Sequence, residues 1–228
     1  MSREAALRDE IVLVCRRLWE RGLIAGPDGN VSARLDDSRL LITPAGLSKV
    51  DLRPNDLVIV DLLGGIVSGD LAPSSEIRMH LRAYARRADV HAVVHAHPPT
   101  ATAFAVAGEE LAAPVLPEVI LLMGRVPLLP YAQPGTEAMA DAFEPFLAEH
   151  DAFLLANHGA TTLGPTLRLA HQRMESLEHA ARIVLAARTL GRVSELTPQQ
   201  VRALDLARDV ARRAVPPRNT PGGSLENP

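Results

Sequence analysis

The stretch Val90-His91-Ala92-Val93-Val94-His95-Ala96-His97 constrains this chain more than any other. Its apolar residues read as a strand, and residues two apart on a strand point to the same face. His95 and His97 therefore leave one strand end on one side, about 7 Å apart along the backbone, and can converge on a single ion. A second apolar run, Phe153-Leu154-Leu155-Ala156, ends in Asn157-His158-Gly159 and offers a third imidazole. Three histidines that leave a coordination position open fit a catalytic metal centre better than a structural one. Neutral imidazoles suit Zn2+, with Co2+, Mn2+ or Fe2+ as replacements. A carbonic-anhydrase-like hydration site would use the same three rings.

Composition removes several alternatives. A chain of 228 residues can bury a sizeable core. Its net charge of −3 and the lack of a basic stripe argue against nucleic acid. Cys15 is the only cysteine, which excludes an internal disulfide and a Cys-rich zinc module; it is expected to pack as a small hydrophobe. The charged start, Met1-Ser2-Arg3-Glu4, lacks the apolar segment of a signal peptide. No stretch reaches the roughly 20 apolar residues that span a bilayer. The expectation is a cytoplasmic protein that does not engage a membrane.

Helical spacing of Leu7, Ile11, Val14 and Leu18 predicts a first helix over residues 3–21. Short strands follow over residues 31–35, 40–43, 57–60 and 65–68, separated by Asp, Gly and Pro turns. Pro73-Ser74-Ser75-Glu76 opens a helix to about residue 87, with Ser74 as N-cap. After the His95 strand come a helix over 98–107, a Pro-punctuated segment over 114–130 and a helix over 136–149. The strand leading to His158 precedes a turn at Leu163-Gly164, a long helix over 165–190, and a last helix from about 197 to 213. The fold class expected is α/β, one domain over residues 1–215 with helices covering a mixed, largely antiparallel sheet. Residues 216–228, rich in Pro, Gly and Asn, are expected to form a flexible tail. Gly26, Gly29, Gly64 and Gly65 form no G-x-G-x-x-G unit, which argues against a dinucleotide site.

The remaining histidines, His80, His91, His150, His171 and His179, read as satisfied side chains, those in helices on polar or partly exposed faces. Glu76 has two readings. It can simply stabilise a helix N-terminus, or it can face the metal as an acid/base while Ser74, Ser75 and nearby N–H groups hold an anion. The loops Gly29-Asn30 and Thr43-Pro44-Ala45-Gly46 are ordinary turns or further anion donors.

Taken in order, six blocks resemble the class II aldolase/adducin family over roughly residues 5–191. They are Gly29-Asn30-Val31-Ser32, Thr43-Pro44-Ala45-Gly46, Pro73-Ser74-Ser75-Glu76, Val94-His95-Ala96-His97-Pro98, Pro130-Tyr131 with Pro134-Gly135-Thr136, and Asn157-His158-Gly159. The resemblance implies a three-layer α/β/α sandwich and a homotetramer with active sites at subunit interfaces. It implies zinc on His95, His97 and His158, with Glu76 as resting ligand and catalytic base, and substrate phosphate on Gly29, Asn30, Gly46, Ser74 and Ser75. The activity implied is a zinc-dependent aldolase. It would cleave a short ketose or deoxyketose 1-phosphate to dihydroxyacetone phosphate and an aldehyde through a metal-stabilised enediolate. A dehydratase, 4-epimerase or decarboxylase of the same family is the alternative, and a non-catalytic adducin-like binding domain is the alternative of another class.

Some features depart from the family pattern. Ala45 stands where a hydroxyl often precedes the glycine, and Pro27-Asp28 adds a negative charge beside Gly29. No tyrosine follows Tyr131, although sugar-phosphate aldolases of this type use one near the C-terminus. Glu118, an acid inside the apolar run Leu116-Pro117-Glu118-Val119, matches a segment where a dehydratase relative carries a catalytic glutamate. Lys49, the only lysine, is expected in a polar loop, which disfavours a Schiff-base mechanism.

Overall fold

The computed structural model describes residues 2–214, so the tail expected over 216–228 lies outside the described residues. An eight-stranded sheet organises them, in the order β4-β3-β2-β1-β5-β8-β7-β6. The strands are β1 Asn30–Arg34, β2 Arg39–Ile42, β3 Val58–Asp61, β4 Ile66–Ser68, β5 Ala92–Ala96, β6 Leu128–Leu129, β7 Ala152–Leu155 and β8 Gly159–Gly164. Each neighbouring pair is antiparallel except β6–β7, which is parallel. The mixed, largely antiparallel sheet expected from the tight turns is therefore present.

Alternation along the strands sends two sets of side chains to opposite faces. Val31, Ala33, Ala92, Val94, Leu154 and Ala160 join a core with α1 Arg3–Glu20, α3 Pro99–Ala107 and α6 Leu167–Thr189. Leu40, Val58, Val93, Phe153 and Leu163 join a second core with α2 Ile77–Arg86 and α5 Glu137–Phe143. Helices on both faces make the α/β/α sandwich. The helix α7, Pro198–Ala214, packs on α4, Pro117–Leu122. No helix among the described residues is long and apolar enough to cross a membrane. Cys15 is fully buried in the first core, and burial pushes its thiol up to about 12.

Several expectations need correcting. Gly159-Ala160-Thr161-Thr162-Leu163-Gly164 is a full strand, not a lead-in to the long helix; its small residues carry little hydrophobic pattern. His158 therefore sits in the turn of the β7–β8 hairpin rather than at the end of a strand. The segment after Pro114 contains the helix α4, begun by Pro117 at its first position. Ser74 does not cap α2, which starts at Ile77 with Glu76 in the N-cap position. His80 and His171 are buried, not on polar faces. Lys49 is buried too, its ammonium donating to the carbonyls of Pro27 (2.8 Å) and Leu47 (2.9 Å). That bond ties together the two loops that carry Gly29 and Gly46.

Candidate metal centre

Strand register assembles the site. Asn30 on β1 pairs with His95 on β5, and His95 pairs with Thr161 on β8, so the three lie in one row. Asn30, Ser32, His95 and Thr161 all alternate with residues of the first core, which turns them toward α2. An isolated bridge between Pro44 and Pro73 brings the Gly46 loop against the segment leading into α2. There Ala45 N–H donates to Ala72 and Ser74 N–H to Thr43. Glu76, having no side-chain capping bond to make, is buried beneath the histidines.

The three rings meet there. Ligand nitrogens of His95, His97 and His158 lie within 4.8 Å of one another. His95 Nε2 is 3.1 Å from His97 Nε2 and 3.2 Å from Glu76 Oε2, while His158 Nε2 is 3.2 Å from Glu76 Oε1. Outer partners bear on the tautomers of two rings. His95 Nδ1 donates to the Ala160 carbonyl (3.0 Å), and His97 Nδ1 faces Asp28 Oδ2 (3.4 Å). The Ala160 carbonyl requires N–H at Nδ1 of His95, and the Asp28 charge favours the same tautomer in His97, which leaves lone pairs on the two Nε2 atoms.

Two facing lone pairs at 3.1 Å, with a carboxylate beside them, repel unless a cation lies between them. Burial, reinforced by the His158, His97 and His80 rings, drives the His95 pKa well down. A proton is thus a poor occupant. Burial also lowers His158, against the pull of Glu76. The donor set and its spacing fit a divalent ion held by nitrogen ligands, for which tetrahedral coordination is the usual geometry. Glu76 Oε1 is buried without a hydrogen-bond partner in the described structure, as expected of an atom kept for a ligand or a proton.

Two glycines make the approach possible. A Cβ on Gly159 would stand 2.5 Å from His97 Cδ2 and 2.6 Å from the Ala96 oxygen. Gly29 has φ +71°, and a Cβ there would stand 2.8 Å from the His95 carbonyl. Gly46 also has positive φ, with open space where a side chain would be. Ser74 is buried and its hydroxyl accepts from Glu76 N–H, whereas Ser75 is exposed and packs against Gly135. Asn30 is buried, and its amide donates to Glu76 Oε2 at 2.7 Å. Glu118 is exposed in the first turn of α4, while its neighbours Val119 and Ile120 line an apolar groove between α4, α6 and α7.

Sequence reasoning missed three residues here. Asp28 appeared only as an unwelcome charge, yet it faces His97. Thr161 sits on an unrecognised strand. His80 reads in the sequence only as a satisfied histidine, although its position four after Glu76 places it on the same face of α2.

Residues 9–185 match the family described as Class II Aldolase and Adducin N-terminal domain, and the chain belongs to that family. Over 185 residues it is 37% identical to the 3-oxo-tetronate 4-phosphate decarboxylase of Escherichia coli strain K12, covering 79% of this chain and 87% of that protein. It is 35% identical over 186 residues to the 5-deoxy-D-ribulose 1-phosphate aldolase of Bacillus thuringiensis serovar kurstaki, covering 81% and 86%. A solved L-fuculose 1-phosphate aldolase superposes with a TM-score of 0.82 at 31% identity, over 88% of this chain and 94% of that one. The protein is thus an enzyme of a family whose members are metal-dependent lyases.

Proposed function

We propose that this protein decarboxylates a short phosphorylated 3-oxo sugar acid, of the kind named for the Escherichia coli relative, and is not primarily an aldolase. The observation that carries the reading is the supply of proton-handling groups. Glu76 is the one buried carboxylate among the three rings. The chain has two tyrosines: Tyr84 lies buried under the sheet, and Tyr131 precedes the loop at Gly135. Retro-aldol cleavage must take a proton from the hydroxyl that becomes the aldehyde and also deliver one to carbon. Loss of CO2 needs only the second transfer.

A divalent ion on His95, His97 and His158 would supply Lewis-acid withdrawal of electrons from the C3 ketone and the C2 hydroxyl oxygen. The C1–C2 bond breaks, its electron pair passes toward C3, and C1 leaves as CO2. Glu76, charged with a proton from solvent, delivers it to C2, which gives dihydroxyacetone phosphate. Zn2+ is the proposed ion. Gly29, Gly46, Ser74 and Ser75 form the proposed phosphate subsite. Asn30 joins it through the second hydrogen of its amide nitrogen.

The wider reading is a cytoplasmic homotetramer with sites at subunit interfaces. Its support within one chain is the β3–β4 edge, where Ile66 and Val67 are more than half exposed and Leu63 is 94% exposed. Glu118, exposed on α4, would then act across such an interface. Glu118→Gln separates the readings. Unchanged turnover fits decarboxylation by Glu76 alone, and lost turnover with intact metal favours a dehydratase.

The deciding assay supplies metal-loaded protein with 3-oxo-tetronate 4-phosphate and measures CO2 and dihydroxyacetone phosphate together. Equal release of both is expected. Aldehyde release from ketose 1-phosphates without decarboxylation would put the aldolase reading, supported by the Bacillus relative, in its place. A protein that neither retains nor regains metal would instead fit the binding-domain reading.

A further inference from the structure

A continuous chain of buried polar side chains runs from α2 and β1 to the candidate base. Tyr84 Oη is 2.8 Å from Ser32 Oγ, which is 2.6 Å from His80 Nδ1. On the other side of the ring, His80 Nε2 is 2.6 Å from Asn30 Oδ1, and Asn30 Nδ2 donates to Glu76 Oε2 at 2.7 Å. His80 and Ser32 are fully buried, and Tyr84 and Asn30 nearly so.

The chain has only one consistent direction. A carboxylate can only accept, so the Asn30 nitrogen must face Glu76 and its oxygen must face His80. The oxygen then needs a donor, which places the imidazole proton on Nε2. Nδ1 becomes an acceptor and takes the Ser32 hydroxyl proton, and Ser32 Oγ in turn accepts from Tyr84. Ser32, His80 and Asn30 each make one bond in each direction along the chain, as burial demands, and the second Asn30 N–H stays available to a ligand. Burial also pushes the His80 pKa down to about 4, which keeps the ring neutral.

Resting on the proposed role of Glu76, we infer that His80 is a positioning residue. By fixing the orientation of the Asn30 amide, it reserves Glu76 Oε1 as the oxygen that carries the transferred proton. Oε2 is occupied by Asn30. Both oxygens approach the rings, Oε2 at 3.2 Å from His95 Nε2 and Oε1 at 3.2 Å from His158 Nε2, but only Oε1 has no hydrogen-bond partner. Without the His80 donor, the Asn30 amide is free to rotate, and Glu76 loses the contact that makes its two oxygens unequal. His80 touches neither substrate nor ion in this scheme.

Two readouts test it in the full-length, metal-loaded protein. The first is the nitrogen NMR spectrum of histidine-labelled enzyme without substrate. His80 should show a protonated Nε2 and an unprotonated Nδ1. The opposite tautomer would mean that the Asn30 amide is reversed, and would overturn the inference whatever the enzyme turns over. The second is exchange of the carbon-bound protons of dihydroxyacetone phosphate with deuterated solvent, which reads Glu76 independently of the bond cleaved elsewhere. His80→Phe should slow exchange by about 10- to 100-fold with metal content unchanged, the scale expected of a misplaced catalytic group. His80→Gln, which restores an N–H donor, should recover most of the rate. Wild-type exchange in His80→Phe, or no recovery in a folded His80→Gln, would refute the positioning role. Should His80→Phe fail to fold, the tautomer and the Gln variant still decide. Failure of the wild type to decarboxylate would count against the proposed substrate alone.

Discussion

Asn30 and His95 face each other across the β1–β5 ladder, and both turn toward α2. The residue that holds the base and a candidate metal ligand are thus set directly opposite each other by strand register. Asn30 holds Glu76 at 2.7 Å, while His95 Nε2 approaches the same carboxylate at 3.2 Å. A slip of one residue would turn one of them into the opposite core.

Glu76→Gln keeps the size of the side chain but cannot carry the proton. Metal content should stay near that of the wild type, because three imidazoles remain, while turnover should fall about 10²- to 10⁴-fold. Metal analysis beside steady-state rates checks both halves. Wild-type rates would remove Glu76 from the mechanism.

Asp28→Asn tests the outer support of His97. The carboxylate sits 3.4 Å from His97 Nδ1, where its charge favours a proton on that nitrogen and a lone pair on the inward one. Loss of such support lowers metal affinity by about 10- to 100-fold. Competition with a chelator of known affinity should show a shift of that order, with thermal stability nearly unchanged.

Gly159→Ala inserts a methyl group where His97 and the Ala96 carbonyl leave no space. The overpacking should cost about 1–3 kcal/mol, and the displaced ring should reduce metal occupancy. Denaturant unfolding and metal analysis of the same preparation read both effects. Full occupancy at unchanged stability would show that the hairpin yields instead.

Acid should destabilise the fold partly through His80. Its pKa is about 4 in the folded protein against an ordinary value of 6.5. Between those values the unfolded chain binds a proton that the native state refuses, so stability declines as pH falls from about 6.5 to about 4 and then levels. The whole difference is about 3 kcal/mol. Chelator-treated wild type and His80→Gln, unfolded in urea at about pH 7 and about pH 4, should differ in how much stability they lose. The variant should lose less, and equal losses would contradict the assignment. His95 and His158 also titrate low and are present in both proteins, so the difference reads His80 together with the part of the His95 shift that the His80 ring causes.

Strand periodicity made much of this legible from residues alone. The alternation in Val93-Val94-His95-Ala96-His97 already places two imidazoles on one face, and the spaced glycine and histidine blocks fix the family. The strand Gly159–Gly164 was not legible, because its small residues display little hydrophobic pattern; Gly159 answers instead to the close approach of His97. Lys49 was misread for a related reason: its burial depends on two carbonyls brought together only by the tertiary fold. His80 differs again. Its i+4 relation to Glu76 was visible, but its partners Asn30 and Ser32 lie about fifty residues away, and only the β1–α2 contact joins them.

The third imidazole rides on a reverse turn whose Asn157 adopts φ +54°, whereas the first is anchored in the middle of the sheet. An ion shared between them would work as a clasp, fastening a tip of backbone to a strand paired on both sides. Gain and loss of metal should then be felt as stiffening and slackening of residues 156–158, legible in amide hydrogen exchange, with the strands beneath almost indifferent.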